Sequence, residues 1–194
     1  MAKQNENTLN KFKDTVKKIA TTIGSYLAFK EIVSFGKNCI EAAAEAQAAS
    51  SQFTQVFDNL ESSAQKSLSS IAKETGIVEN RMKGSYTQIA AFAKTTGMDT
   101  AESLELTNRA MVAVADSAAF YDRSLEDTTE SLQSFLKGNY ENDAALGLSC
   151  TETTRNAKAN ELYGKSFKDL SESQKQLTLL AMVEDANKLS GALG

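Results

Sequence analysis

The chain lacks proline, histidine and tryptophan altogether over its 194 residues. Proline breaks helices, because its ring removes a backbone donor and clashes with the preceding turn. Its absence over this length predicts a chain that is helical almost throughout. Without histidine the chain has no Ser-His or Cys-His nucleophile pair, no imidazole ligand for zinc and no side chain that ordinarily titrates near neutral pH. We therefore expect no enzyme activity, no cofactor and no metal site.

Cysteine and long apolar runs are scarce as well. The two cysteines, Cys39 and Cys150, match no disulfide framework and no metal-ligand pair of standard spacing. We predict that both are reduced and pack as small apolar side chains. The longest uncharged run, Ala46–Phe57, has 12 residues, whereas a membrane-spanning helix needs about 20 apolar residues. The isolated chain is therefore expected to be soluble.

Excess positive charge is confined to the first 40 residues. Residues 1–40 contain seven lysines and three acidic residues, a net charge of +4, whereas residues 41–194 contain 14 basic and 22 acidic side chains, a net charge of −8. General nucleic-acid binding depends on cations that displace counterions from phosphate. The acidic total of −4 disfavours it. A basic arm therefore precedes an acidic body.

The basic arm contains an apolar seam with alternating steps of three and four, the heptad spacing of helix–helix contacts. Lysines flank this seam, as they also do in helices that lie on anionic membranes. We favour a helix–helix seam because the spacing is regular, and a membrane-active helix over residues 9–30 is the alternative. Residues 1–48 are thus predicted to form a basic amphipathic helical arm. The seam consists of Leu9, Phe12, Val16, Ile19, Ile23 and Tyr26.

Residues 49–194 continue the helical pattern and are predicted to form a second domain. Asp99 with Glu102 and Ser171 with Gln174 match the capping boxes that begin helices. We predict an all-α fold, in which a long amphipathic, coiled-coil N-terminal helix precedes a bundle of about five or six shorter helices, without strands. The second apolar seam ends at Gly76, a residue type that often closes helices, and contains Phe53, Phe57, Leu60, Ala64, Leu68 and Ile71.

Two short patterns resemble catalytic or phosphate-binding motifs. Glu126, Asp127 and Glu130 form a dense acidic cluster, but acidic residues are favoured in the first turns of a helix by its dipole. Gly164-Lys165-Ser166 matches the end of a phosphate-binding loop, but Ala159 stands where that motif requires its first glycine. We interpret the cluster as a solvated helix face and the tripeptide as a turn that ends a helix.

The final third of the chain has a distinctive order of segments. It runs from Phe120-Tyr121 through Lys137-Gly138-Asn139 and Leu146-Gly147-Leu148 to a segment that begins Gly164-Lys165-Ser166-Phe167. This order resembles the conserved N-terminal region of phage tail tape measure proteins, in which a helix with a terminal aromatic pair leads to glycine turns and a further helix. The likeness spans about residues 53–193. Its motif residues here are Phe120, Tyr121, Gly138, Leu146, Gly147, Gly164, Phe167 and Leu170.

The resemblance implies a structural function. Tape measure proteins lie in several copies inside the tail tube, set its length, are coated beforehand by tail assembly chaperones and leave ahead of the DNA. A homo-oligomer is therefore implied, with the tail tube protein and the chaperones as partners, in the bacterial host cytoplasm during assembly and in the virion tail lumen afterwards. Family members are several times longer, which implies that this chain is a fragment. The alternatives are an unrelated helical interaction module, such as a secreted effector or adhesin stalk, and the membrane-active helix.

Overall fold

The structure is a computed structural model that describes residues 44–190, apart from the side chain of Ser190. It divides into two units between Ser51 and Gln52. Residues 44–51 of the first unit are helical. The predicted N-terminal coiled-coil helix lies outside the described residues, together with its seam members Leu9, Phe12, Val16, Ile19 and Ile23.

The predicted all-α class is confirmed for residues 52–190, which contain helices and no strand. Residues 52–57 are helical and lead into a short 3-10 helix, Asp58–Leu60. Three further 3-10 helices are Tyr140–Asn142, Ala144–Leu146 and Phe167–Asp169. The six α-helices that follow residue 60 are α1 (Glu61–Thr75), α2 (Glu79–Thr95), α3 (Thr100–Phe120), α4 (Leu125–Leu136), α5 (Glu152–Tyr163) and α6 (Glu172–Ser190).

Three helices begin or end at residues that the sequence predicts. At the start of α3, the Glu102 N–H donates to Asp99 Oδ1 at 2.8 Å, and the Asp99 N–H donates to Glu102 Oε2 at 3.0 Å. Ser171 and Gln174 form the same reciprocal pair before α6, at 3.2 and 3.1 Å. Gly76 ends α1 in the left-handed region, with φ of 70°. Both predicted capping boxes are therefore confirmed. Each satisfies backbone donors that a helix start leaves unpaired.

Helix α3 is the central element of the unit. It packs against four other helices, α1, α2, α4 and α6. Small side chains allow this, because they let neighbouring helix backbones approach closely on several sides at once. The buried small residues of α3 are Ser103, Ala110, Ala113, Ala115, Ser117 and Ala118.

Aromatic side chains fill the space between residues 52–57 and α2. Phe53 and Phe57 are fully buried, with ring centroids 4.7 Å apart, and Phe57 lies 5.4 Å from the ring of Tyr86. The Tyr86 hydroxyl donates to Asn108 Oδ1 on α3, and burial raises the pKa of Tyr86 above its ordinary value. Two predicted seam residues thus pack within the chain, while Leu60 is half-buried in the 3-10 helix that follows.

Polar groups tie α6 to α3 across their buried contact. Asn187 Nδ2 donates to the backbone oxygen of Ala113 at 2.8 Å, and Asn187 Oδ1 accepts from Ser117 Oγ at 3.0 Å. Near the middle of both helices, the guanidinium of Arg109 donates two hydrogen bonds to the carboxylate of Glu184, at 2.8 and 2.7 Å. Because buried amide groups are costly when unpaired, these bonds favour one register of α6 on α3.

Two buried serines of α3 make a matched test of this polar packing. Ser103 Oγ has no hydrogen-bond partner within the described part of the chain, so Ser103→Ala should raise the free energy of unfolding by about 1 kcal/mol. Ser117→Ala should lower it by about 1 kcal/mol, because the hydrogen bond from Ser117 Oγ to Asn187 Oδ1 is lost. Urea denaturation followed by circular dichroism measures both. Equal effects of the two substitutions would contradict the assignment.

Candidate protein-interaction groove

Two exposed aromatic residues stand at the end of α3. Phe120 is its last residue, and the N–H of Tyr121 donates to the backbone oxygen of Ser117 at 3.0 Å. The two rings meet edge to face, with centroids 4.8 Å apart and an interplanar angle of 81°. Phe120 is 49% and Tyr121 39% exposed. Asp122 follows with φ of 51°, so the chain turns sharply and leaves both rings at the surface.

The Tyr121 ring lies directly against the backbone of Gly147. A Cβ atom at Gly147 would lie 2.9 Å from Tyr121 Cζ and 3.1 Å from Tyr121 Cε2. Gly147 also has φ of 76°, a conformation that suits glycine. The preceding Leu146 is buried in the core. Residue 147 must therefore lack a Cβ atom if the ring of Tyr121 is to lie here, although the two residues are far apart in the sequence.

Side-chain contacts hold the loop between α4 and α5 in place. Asp143 accepts from the N–H of Ala144 at 2.6 Å and from the N–H of Cys150 at 2.7 Å. The guanidinium of Arg155 lies 3.9 Å from the ring centroid of Tyr140 and 5.7 Å from that of Phe167. Such cation–π contacts are attractive. Arg155 thereby connects the loop before α5 with the short helix after it.

The motif residues at the end of α5 form a turn. Gly164 closes the helix with φ of 63°. Asn156 Oδ1 then accepts from the Phe167 N–H at 2.9 Å and from Ser166 Oγ at 3.1 Å, which folds the chain back along α5. Leu170 is buried before α6 begins. Gly164-Lys165-Ser166 is thus the helix-ending turn that the sequence predicts.

These elements enclose an open groove of about 620 Å³. The end of α3 forms one side, the loop after Gly147 another, and α5 and α6 the remainder. Leu189, on the last turn of α6, is 91% exposed and borders the groove. Its larger apolar residues are Phe120, Tyr121, Leu148, Met182 and Leu189.

The charged residues at the groove are paired with one another. Lys158 Nζ lies 2.5 Å from Asp185 Oδ2 and 2.7 Å from Glu161 Oε2. Lys188 Nζ lies 3.0 Å from Asp185 Oδ1. The hydrogen bond from Lys158, followed by that from Lys188, lowers the pKa of Asp185. The charged residues that line the groove, Lys158, Glu161 and Asp185, are therefore paired with one another beside its apolar side chains, an arrangement that suits protein side chains better than a charged ligand.

Other features of the described chain offer less chemistry. Residues 44–190 contain no group of three or more cysteine, aspartate or glutamate side chains placed to hold a metal ion. Glu126, Asp127 and Glu130 are exposed along α4, as predicted for a solvated face. Cys150 is free and buried, and burial raises its pKa. Within the same residues no helix combines the length and the apolar character needed to cross a bilayer.

The structure brings some of the predicted motif residues together and places others elsewhere. Phe120, Tyr121 and Gly147 meet at the groove. Gly138 forms the left-handed turn after α4, with φ of 95°. Sequence reasoning missed the face of α6 at the groove, although the spacing of its members, at steps of three and four, is a helical signal. That face consists of Met182, Asp185, Ala186 and Leu189.

Comparison with known proteins adds no relative. No protein-family model, no curated protein and no solved structure matches the chain. Groove geometry and the order of motif residues are therefore the grounds on which a function can be inferred.

Two left-handed glycines separate backbone strain from contact with Tyr121. Gly164→Ala should cost about 1–2 kcal/mol, the price of a left-handed backbone for a residue with Cβ, because no other heavy atom lies within 4 Å of that position. Gly147→Ala should cost more, since the ring of Tyr121 must also move. A double-mutant cycle with Tyr121→Ala, measured by chemical denaturation, should recover the excess. Equal costs at the two glycines would contradict the contact.

Proposed function

We propose that this chain is a fragment of a phage or prophage tail tape measure protein, a non-enzymatic scaffold that sets tail length inside the tail tube. The observation that carries the proposal is the contact between Tyr121 and Gly147. Both belong to the motif order that resembles the family, and 26 positions separate them in the sequence. General helical composition does not require a glycine opposite an aromatic residue, so this contact supports a shared architecture.

The remaining motif residues support the same reading through their geometry. Gly138 and Gly164 adopt left-handed conformations at the ends of α4 and α5. Leu146 and Leu170 are buried on either side of α5. Each therefore occupies a position where its residue type has a physical reason to be retained. Motif residues of this kind are typical of a structural helical module, and they bring no reactive groups together.

In this proposal the two parts of the chain have different tasks. Residues 1–48 would form the long coiled-coil helix, through which several copies associate in the lumen of the tail tube. The tube protein and the assembly chaperones would be further partners, first in the host cytoplasm and then in the virion. Residues 44–190 contain 14 basic and 21 acidic side chains. An excess of negative charge repels DNA, as suits a plug that leaves the tube before the genome.

A second candidate is an unrelated helical interaction module. The groove favours it, because an exposed apolar surface bordered by polar residues is typical of protein-binding sites. A module of this kind would act without a phage tail or a tail tube. The position of the gene separates the two at once, since a tape measure gene is expected downstream of a tail tube gene and a frameshifting chaperone gene.

Tail length provides the functional test. In the phage or prophage that encodes the chain, an insertion of about 70 residues with the heptad pattern of residues 9–26 should lengthen the tail by about 105 Å, at 1.5 Å per residue. An insertion of equal length rich in glycine and serine is the matched control, because it forms no rod of defined length. Electron microscopy of negatively stained particles measures both. Unchanged tail length with the heptad insertion would refute the proposal.

A further inference from the structure

A bend at Asp58 separates residues 52–57 from α1. Asp58 has φ of 46°, in the left-handed region that residues with a Cβ atom rarely adopt. We propose that residues 52–57 are a hinged strap, which closes over α2 through this bend and opens by straightening into one continuous helix with α1. Such a switch is independent of the proposed function, because it belongs to the conformational equilibrium of the chain itself.

The sequence across the bend favours an unbroken helix. Residues 52–75 contain no glycine and no proline, the two residue types that most strongly disfavour a helix interior. The apolar residues Phe53, Phe57 and Leu60 follow one another at steps of four and three through the bend, which is the period of one helix. Local preference at Asp58 and the closed fold therefore oppose each other. Strain of this kind is typical of switch regions.

Contacts with α2 hold the strap closed. Phe53 and Phe57 are fully buried, and the ring centroid of Phe57 lies 5.4 Å from that of Tyr86. Val56 lies in the last turn before the bend, where backbone oxygens lack helical partners, and Lys94 Nζ donates to its oxygen at 2.7 Å. A straight helix would not need this donor, because the oxygen would pair with the N–H four residues further on.

The packing of the strap is incomplete on its other edge. Gln52 and Gln55 border an open cleft of about 540 Å³, which Gly84 and Gln88 of α2 line from the opposite side. A segment with few contacts on one edge opens locally at a lower cost in free energy than the core does. Opening exposes three aromatic rings that the closed form buries, so the position of the strap decides whether they are accessible.

Thiol labelling tests the switch in the full chain. Phe53→Cys serves as the reporter, combined with Cys39→Ala. A buried thiol reacts with iodoacetamide only when the strap opens, so the rate measures the open population. Asp58→Ala should react about thirtyfold faster than Asp58→Gly, because alanine favours a helical backbone at this position and glycine a left-handed one. Buried Cys150 is the internal control and should react equally slowly in both variants, as measured by peptide mass spectrometry.

The comparison of alanine with glycine separates a hinge from fraying. If residues 52–57 came loose as an unfolded segment, position 58 would not be helical in the open form. Glycine would then favour the open form through its extra freedom about as much as it favours the closed bend. Equal labelling rates in the two variants would therefore overturn the proposal.

Two further variants control for strain elsewhere and for damage by the reporter. Asp122 also lies in the left-handed region, with φ of 51°. Asp122→Ala and Asp122→Gly should give equal rates at residue 53, and a thirtyfold difference there would contradict a hinge at Asp58. If Phe53→Cys prevents folding, which rapid labelling of Cys150 would reveal, Phe57→Cys is the second reporter and should give the same ratio.

Removal of the lysine donor tests the closing contact. Lys94→Met should raise the labelling rate at residue 53 about tenfold, because a hydrogen bond from a charged group is lost from the closed form alone. Lys175→Met is the matched control, since Lys175 is also partly buried but pairs with Glu172 on α6. It should leave the rate unchanged. An unchanged rate in Lys94→Met, or an equal rise in the control, would overturn the proposal.

Discussion

The close packing of α3 against four other helices is the interaction on which the rest of the described structure depends. Its alanines and serines leave room for neighbours on several sides. The same closeness leaves little space for water, so a polar group at these contacts is costly unless it has a partner within the protein. Asn187 provides one such partner by bonding to both Ala113 and Ser117. A central helix with small side chains thus sets both the arrangement of the helices and the register of α6.

The groove follows from the way in which α3 ends. Its small residues are buried up to Ala118, and Phe120 and Tyr121 follow at the surface, where the chain turns at Asp122. Because Gly147 has no side chain, the ring of Tyr121 can lie directly against its backbone. Arg155 holds the loop that contains Gly147 through its contact with Tyr140. An exposed apolar surface therefore rests on well-supported backbone, which is the arrangement that protein recognition favours.

Predictions from the sequence succeeded where the physics is local. The capping pair at Asp99 and Glu102 closes within three residues, and the left-handed turn at Gly76 depends only on the absence of Cβ. Neither needs a distant partner. The pattern at Phe53 and Phe57 also predicts a helix, but periodicity does not specify whether an apolar stripe faces its own chain or another. The contacts of both rings with Tyr86 show that this stripe faces its own chain, and Tyr86 lies about 30 residues further along the sequence.

The sequence by itself determined that the described chain is helical, because a chain without proline meets few obstacles to helix formation and its caps and glycines act over a few residues. It also determined where several helices end. The tertiary structure alone decided which apolar side chains are buried in the core and which, such as Leu189, border an open groove. The reason is that burial depends on which helix faces meet, and those faces come from segments widely separated along the chain.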